Sequence, residues 1–229
     1  MPQPALSVII PTLNEAATLV ARLERLLGLW VCGVEIIIVD GGSQDETVVM
    51  ANRVATRVIE SPPGRAVQMN AGARAATASH LLFLHADTQL PRRADRLIDA
   101  ALAGRHHWGR FDIRLEGRHP MLPVIATAMN WRSRLTGIAT GDQALFMTRS
   151  AFEEVGGFPD QPLMEDIALT QRLKRLSPPA CLRQRASSSG RRWEHHGAWP
   201  TILLMWWLRY RYWRGEAPEQ LARVYRDVR

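Results

Sequence analysis

The chain has 229 residues, 46% of them hydrophobic, and a formal charge of +7 carried almost wholly by arginine, with Lys174 the only lysine. That size and apolar content fit one large domain with a full core, or one domain plus a short extension, and argue against disorder. Arginine-rich charge suits a phosphorylated ligand or an anionic surface. The arginines are interspersed with Asp and Glu and no recognition motif is present, so nucleic acid is not expected as a partner.

Cys32 and Cys181 lie far apart and in no metal-ligand spacing, which predicts two structural thiols in a reduced, cytoplasmic protein. Leu6–Ile10 is too short for a leader and runs into Pro11, so no signal peptide is expected. The apolar run Ile202–Leu208 falls far short of the ~20 residues of a spanning helix. The expectation is a chain that does not cross a membrane but has the composition to lie on one, at the inner membrane face.

Along the chain, strand and helix signals alternate. Leu6–Ile10 reads as a strand closed by Pro11, followed by a helical pattern with Leu19, Leu23, Leu26 and Leu27 on one face. Val34–Val39 is almost continuously apolar, as in a parallel strand covered on both faces, and it ends at Asp40-Gly41-Gly42. Ser43 to Thr47 opens another helix, Arg57–Ile59 is a third strand, and a small-residue helix follows through Ala66, Ala71, Ala73 and Ala76. Leu81–Leu84 is a fourth buried strand ending at His85-Ala86-Asp87. Further on, Trp108–Leu115 and Ala144–Thr148 read as strands, and Met121–Leu135 and Met164–Leu176 as helices. This order predicts an α/β domain with a mainly parallel central sheet flanked by helices and with right-handed crossovers.

Ligands of such sheets bind beyond the carboxyl ends of the strands, where the polar clusters Thr12–Glu15, Asp40–Asp45 and His85–Thr88 fall. Asp87 suits a hard divalent cation that bridges two phosphates, or a plain turn. Asp40 suits hydrogen bonds from a base or ribose, or a turn with Gly41 and Gly42. The loop PTLNE lacks the glycine fingerprint of a dinucleotide site, and no P-loop is present. Glu165 and Asp166 open a helix, as caps favoured by the dipole or as a general base. The run Arg191-Arg192-Trp193-Glu194-His195-His196 is dense enough in donors to clamp a diphosphate, stack a sugar on Trp193 or ligate a metal through one histidine. Ser187–Ser189 and Gly190 before it read as a flexible loop.

Taken in order, PTLNE (11–15), DGGSQDET (40–47), GRAVQMNAGA (64–73), LLFLHADT (81–88), GDQALF (141–146) and MEDIALTQRLK (164–174) resemble family 2 glycosyltransferases of the GT-A fold. More narrowly they resemble the short bacterial branch labelled radical-SAM/selenodomain-associated transferases, related to dolichyl-phosphate mannose synthase catalytic domains. The resemblance implies a GT-A domain over residues 1–198, with a nucleotide-binding half to about residue 90 and an acceptor half beyond it. It implies that Pro11, Thr12 and Glu15 line the nucleoside pocket, that Asp40 with Gly41 meets the base, and that Arg65 and Asn70 approach the base or phosphates. Asp87 would be the surviving acid of a DxD element that holds Mg²⁺ or Mn²⁺, with His85 or His196 as a further candidate ligand. Asp166 would be the base, supported by Glu165. Gly141, Asp142, Arg192 and Trp193 would meet the acceptor, Arg192-Trp193 as the RW half of a QxxRW element. Residue 85 is His where many relatives carry the first Asp of DxD, and Ser189 replaces the Gln of processive members, which argues for transfer of a single sugar. The implied reaction moves one sugar, with inversion, from a nucleoside-diphosphate sugar to a hydroxyl or lipid-phosphate acceptor. A sugar nucleotidyltransferase and an inactive GT-A scaffold are the competing readings; the first is expected to carry a glycine-rich basic loop that PTLNE does not supply.

Residues 199–229 read as an amphipathic helical extension. Thr201–Trp213 mixes Trp and Tyr with Arg209 and Arg211, a composition suited to a membrane interface. Leu203, Trp206, Trp207 and Tyr210 share helical spacing, and the expectation is that this face packs on the domain or on a second subunit.

Overall fold

The computed structural model describes residues 4–53, 55–195 and 197–227, with the side chains of 18, 21–23, 192, 195, 226 and 227 left out. The first half runs β1 (Leu6–Thr12), α1 (Ala16–Glu24), α2 (Leu27–Val31), β2 (Glu35–Asp40), α3 (Thr47–Ala51), β3 (Arg57–Glu60), α4 (Arg65–Ala75) and β4 (His80–Phe83). It continues through β5 (Thr88–Gln89), α5 (Ala94–Leu102), β6 (Trp108–Glu116) and α6 (Leu122–Thr136). A 3-10 turn at Gly141–Gln143 leads into β7 (Leu145–Thr148), α7 (Arg149–Glu154), α8 (Glu165–Leu176) and β8 (Ala180–Ser189). The last described elements are α9 (Arg191–His195), α10 (Ala198–Trp213) and α11 (Pro218–Asp227).

The strands form one sheet in the order β3-β2-β1-β4-β7-β6-β8-β5. Its first four strands are parallel, as their unbroken apolar runs predict. β7 is antiparallel to both β4 and β6, and β8 is parallel to β6 but antiparallel to β5. Alternate side chains divide between two cores. Val8, Ile36, Ile38 and Leu82 pack with Leu19 of α1 and Ile98 of α5. Ile9, Ile37, Val39, Leu81 and Phe83 face the other way, toward Met69 of α4, Phe152 of α7 and Leu169 of α8. A helix layer on each face gives the α/β architecture. The small residues of α4 allow it to lie close on the sheet: a Cβ on Gly72 would sit 2.4 Å from Cγ2 of Ile9 and 2.9 Å from Cγ2 of Val39.

Behind the second half of the sheet lies a buried polar network that the hydrophobic pattern hides. The Arg110 guanidinium, 0% exposed, pairs with Asp112 and donates to the carbonyl of Asn130 at 3.1 Å. Asp112 also accepts from Arg134 at 2.7 Å. The Asn130 amide bonds both backbone groups of Ile113, at 2.8 and 2.9 Å, which ties α6 to β6.

Two expectations are corrected. Ser187–Ser189 are not a flexible loop but the end of β8, paired with Thr88 and Gln89 on one side and with Arg114–Glu116 on the other. Serine has little strand preference of its own; a neighbour on both edges satisfies the backbone and overrides it. The face of α10 that bears Leu203, Trp206, Trp207 and Tyr210 is not packed on the domain, being 64%, 69%, 39% and 55% exposed. The helix instead buries Thr201 and Leu208, and Leu208 meets Met164, Ile167 and Leu221. α10 is apolar on most of its circumference, so helical spacing alone does not choose the buried side.

The network makes a first prediction. Asp112→Ala strips a fully buried guanidinium of its counter-charge, which costs about 3–5 kcal/mol. Urea denaturation of wild type and variant measures it, and a loss below about 1 kcal/mol, as for an exposed pair, would refute the account.

Candidate active site

A cleft of about 1250 Å³ opens at the carboxyl ends of β1 and β4. One wall comes from the parallel half: Pro11, Thr12 and Glu15 after β1, Arg65 at the start of α4, and His85 and Asp87 after β4. From the second half of the chain the same cleft is lined by Gly141, Asp142, Glu165, Asp166 and Trp193. Residues far apart in sequence thus meet in one space.

The loop after β1 is held by the loop after β2. Asn14, with φ of 53°, receives Ser43 Oγ at its N–H (2.8 Å), and its side chain accepts from the N–H of Gln44 (2.9 Å). The N–H of Glu15 donates to Thr47 Oγ1 at 2.8 Å. Gln68 completes the lock: its Nε2 donates to the carbonyls of Thr12 and Val39, both at 2.8 Å, which pins α4 to the ends of β1 and β2. Gln68 lies within the GRAVQMNAGA segment, but only its burial at 4% exposure and these bonds reveal its function.

Three expected donor-site residues do not line the cleft. Asp40 is 2% exposed and does not line the cleft. Its carboxylate accepts from the N–H groups of Gly42 (2.9 Å) and Ser43 (2.8 Å) and from Ser43 Oγ (2.5 Å). It shapes its own turn, in which Gly42 takes φ of 89°, and Gly41 also lies off the cleft lining. The Asn70 amide is likewise occupied: it donates to the carbonyl of Phe158 (2.8 Å) and accepts from its N–H (3.0 Å), clamping α4 to the segment before α8.

In the lining from the second half three backbone segments converge. Asp166, in the first turn of α8, accepts from the N–H of Gly141 through Oδ2 at 2.8 Å and from that of Ile167 through Oδ1 at 2.7 Å. The His85 ring lies against Gly141 so closely that a Cβ there would fall 2.4 Å from Nε2. The end of β4, the 3-10 turn and the start of α8 are thereby fixed together. Burial, and after it the charge of Asp166, pushes the Glu165 carboxyl up to about 7, with Arg65 opposing. Burial also raises Asp142, with Asp166 adding to the shift and Arg209 and Arg132 opposing it.

Arg132 of α6 and Arg209 of α10 also line the cleft, and motif reading singled out neither for the site. Nε and Nη2 of Arg132 and Nε of Arg209 are buried without a hydrogen-bond partner. Burial first, then the positive charge of Arg209, lowers Arg132 to about 10. The signal in sequence would have been an arginine closing an apolar helical stripe. Among the described residues no three His, Cys, Asp or Glu cluster as a ready metal cage. Asp87 on the cleft wall instead fits an ion of the kind that keeps one carboxylate and takes its remaining oxygens from phosphates and water. The Arg192 side chain and His196 lie outside the described residues.

Glu165 supplies the second prediction. A carboxyl raised from 4.5 to about 7 on folding contributes stability that is whole below the lower value and is lost as pH rises through the upper one. Glu165→Gln should therefore show a flatter decline of Tm over that window than wild type. Equal slopes would assign the titration to another group.

A family model described as Glycosyl transferase family 2 matches residues 7–156. The PGL/p-HBAD biosynthesis glycosyltransferases of Mycobacterium tuberculosis (strain ATCC 25618 / H37Rv) and Mycobacterium bovis (strain BCG / Pasteur 1173P2) are 41% identical over 114 residues, 46% of this chain and 44% of theirs. The chain therefore spans under half the length of these relatives. Among solved structures, the mannosyltransferase PcManGT of Pyrobaculum calidifontis, in complex with GDP-Man and Mn²⁺, gives a TM-score of 0.67 at 21% identity over 99% of this chain and 70% of that one. S. aureus TarS 1–349 in complex with UDP-GlcNAc gives 0.64 at 15% identity over 80% and 58%. These likenesses are of fold, the GT-A arrangement of a mostly parallel sheet between helices. With the family model matched over most of its length, the chain belongs to glycosyltransferase family 2.

Proposed function

We propose that the chain is a non-processive glycosyltransferase that moves one sugar from a nucleoside-diphosphate sugar to a hydroxyl or lipid-phosphate acceptor with inversion. The observation that carries this reading is a single cleft, at the carboxyl ends of the parallel strands, that Asp87 and the Glu165–Asp166 pair both line. Pro11, Thr12 and Glu15 receive the nucleoside, and Arg65 approaches its phosphates. Asp87 would hold Mg²⁺ or Mn²⁺ against the diphosphate, where the ion supplies neutralisation of the leaving group's charge. Asp166 takes the proton of a hydroxyl acceptor as that oxygen attacks the anomeric carbon from the face opposite the leaving group. Its two backbone donors fix the carboxylate's orientation, and each oxygen keeps a lone pair for the proton. Ser189, in place of the glutamine of processive members, supports a single transfer.

The GDP-Man and UDP-GlcNAc held by the structural neighbours are the first donors to test. Binding of the true donor should raise Tm, and more so with Mn²⁺; a panel of nucleotide sugars that leaves Tm unmoved with and without the ion would remove the transferase reading. With a hydroxyl acceptor, Asp166→Asn should lower kcat by ~10²–10⁴. Near-normal turnover would sink the base assignment and favour a phosphate oxygen, which attacks without losing a proton.

A second part of the proposal concerns α10, whose face away from the cleft lining carries Leu203, Tyr210 and Trp213 at 55–75% exposure, beside Arg211 and Arg214. No described helix is long and apolar enough to cross a membrane. Trp and Tyr flanked by arginine fit the surface of an anionic bilayer. Tyr210→Ser with Trp213→Ser should reduce co-sedimentation with anionic vesicles at least about tenfold in partition. Unchanged recovery, or a lipid-independent doubling of mass abolished by the same changes, would assign the face to self-association.

A further inference from the structure

The 3-10 turn Gly141–Gln143 gives three consecutive residues three different surroundings. The Gly141 N–H bonds Asp166, the Asp142 side chain lines the cleft, and the Gln143 side chain runs into the interior, where it is 0% exposed. Three residues per turn set successive side chains about 120° apart, so the direction of one fixes the other two. The Gln143 amide is bonded at both ends. Its Oε1 accepts from the N–H of Thr140 at 3.3 Å, and its Nε2 donates to Ser133 Oγ at 3.2 Å and to Asn130 Oδ1 at 3.4 Å. Both partners on α6 are buried. Asn130 is the residue that ties α6 to β6 and whose carbonyl receives Arg110. A continuous line of hydrogen bonds therefore runs from the Arg110–Asp112 pair through Asn130 and Gln143 to the turn.

The turn needs an anchor, because neither of its ends is relaxed. Ala144, which follows it, takes φ of 50°, a left-handed conformation that a residue with a Cβ keeps only where its surroundings over-determine it. At the other end, the His85 ring occupies the space that a side chain at 141 would need. A polar side chain bonded at both ends in a core holds one arrangement, whereas apolar packing of similar volume tolerates several. The arrangement held here is the one that aims a single N–H group at the proposed base.

From these contacts, and resting on the transferase reading above, we infer that Gln143 is a positioning residue of the reaction: through the turn it holds the Gly141 N–H at Asp166 and directs the Asp142 carboxyl toward the cleft, and it orients the base without touching substrate. The path of the hydrogen bonds gives the direction of the effect. Loss of the amide frees Thr140 and with it the turn, and the Gly141 N–H loses its fixed place. The Asp166 carboxylate then keeps only the N–H of Ile167, which belongs to its own helix. The nucleoside side of the cleft is held separately, through Ser43, Thr47 and Gln68, and is left as it is. A base out of place lowers turnover and spares donor affinity.

Amide hydrogen exchange followed by NMR reads the turn without any substrate. In wild type the N–H groups of Thr140 and Gly141 should exchange at least about tenfold more slowly than unprotected amides, and free exchange at Gly141 overturns the inference with no variant needed. Gln143→Met, of similar length but without the amide, should speed exchange at Gly141 at least about tenfold relative to the amides of β1 and β2, the size expected for one lost hydrogen bond. A rise that is equal at all positions marks general destabilisation and overturns the inference, as does an unchanged Gly141. Turnover is measured with GDP-Man and UDP-GlcNAc as the first donors. Gln143→Met should lower kcat about tenfold and leave the donor KM within about twofold of wild type; a raised KM at unchanged kcat places Gln143 on the donor side and overturns the inference. In an Asp166→Asn background Gln143→Met should cause no further loss, and losses that multiply show that it acts independently of Asp166. Near-normal turnover of Asp166→Asn overturns the base assignment and this inference with it, whereas loss in that variant with none in Gln143→Met overturns this inference alone.

Discussion

The hydrogen bond from the Gly141 N–H to the Asp166 carboxylate is the constraint around which the site is organised. It joins a turn from the antiparallel half of the sheet to the first residues of α8, 25 positions later in the chain. The His85 ring, carried in from the end of β4, closes on the same glycine, and any side chain at 141 would push it away. Three elements are thus referred to one backbone atom. A carboxylate positioned by packed backbone has less freedom than one on a loop, which is the condition for orienting a proton acceptor.

The constraint also concentrates charge. Asp142, Glu165 and Asp166 lie on one wall within reach of Arg65, Arg132 and Arg209, all bordering one cleft. Burial displaces acid and base about equally, but the outcomes differ: Glu165 rises to about 7, whereas Arg132 falls to about 10 and stays well above neutrality. Near neutral pH the arginines stay charged while Glu165 is partly neutral. The wall therefore sets three charged arginines beside a pair of acids of which one is partly protonated, which lessens the repulsion an anionic ligand would meet there. The formula of the motif, two acids in a row, would suggest the reverse.

How much of this was legible beforehand depended on whether local pattern and tertiary environment agreed. Three of the four parallel strands were readable because burial on both faces removes polar alternation, as in LSVII, VEIIIV and LLFL; the edge strand β3 is half-exposed and rested on its place in the order. The cleft-lining acids were found because they follow strand ends or open a helix. Asp40 shows the ambiguity of such positions: a carboxylate after a strand looks identical in sequence whether it points to a ligand or to its own turn, and here three local donors hold it in the turn. Gln68, Asn70 and the Arg110–Asp112–Arg134 network depend on partners dozens of residues away or across a helix, which spacing does not encode. Ser187–Ser189 and the outward face of α10 went astray in opposite senses. In the first, strand neighbours overrode weak propensity; in the second, a helix apolar nearly all round offered periodicity no unique inner side.

That ambiguity of α10 has a structural reason that bears on the site. A helix needs one apolar stripe to pack, and α10 meets this with Leu208 against Met164 and Ile167, the residues that flank the Glu165–Asp166 pair. Its remaining apolar surface is surplus to folding. Part of that surplus, with Trp199 and Trp206, lines the cleft beside Arg209; part, with Leu203, Tyr210 and Trp213, is exposed away from it. One helix therefore buttresses the acidic pair, walls the acceptor side and presents an amphipathic face to the surroundings. A substitution on its buried side would disturb the geometry of Asp166 as directly as one in α8, although nothing in the family's motifs marks α10 as part of the site.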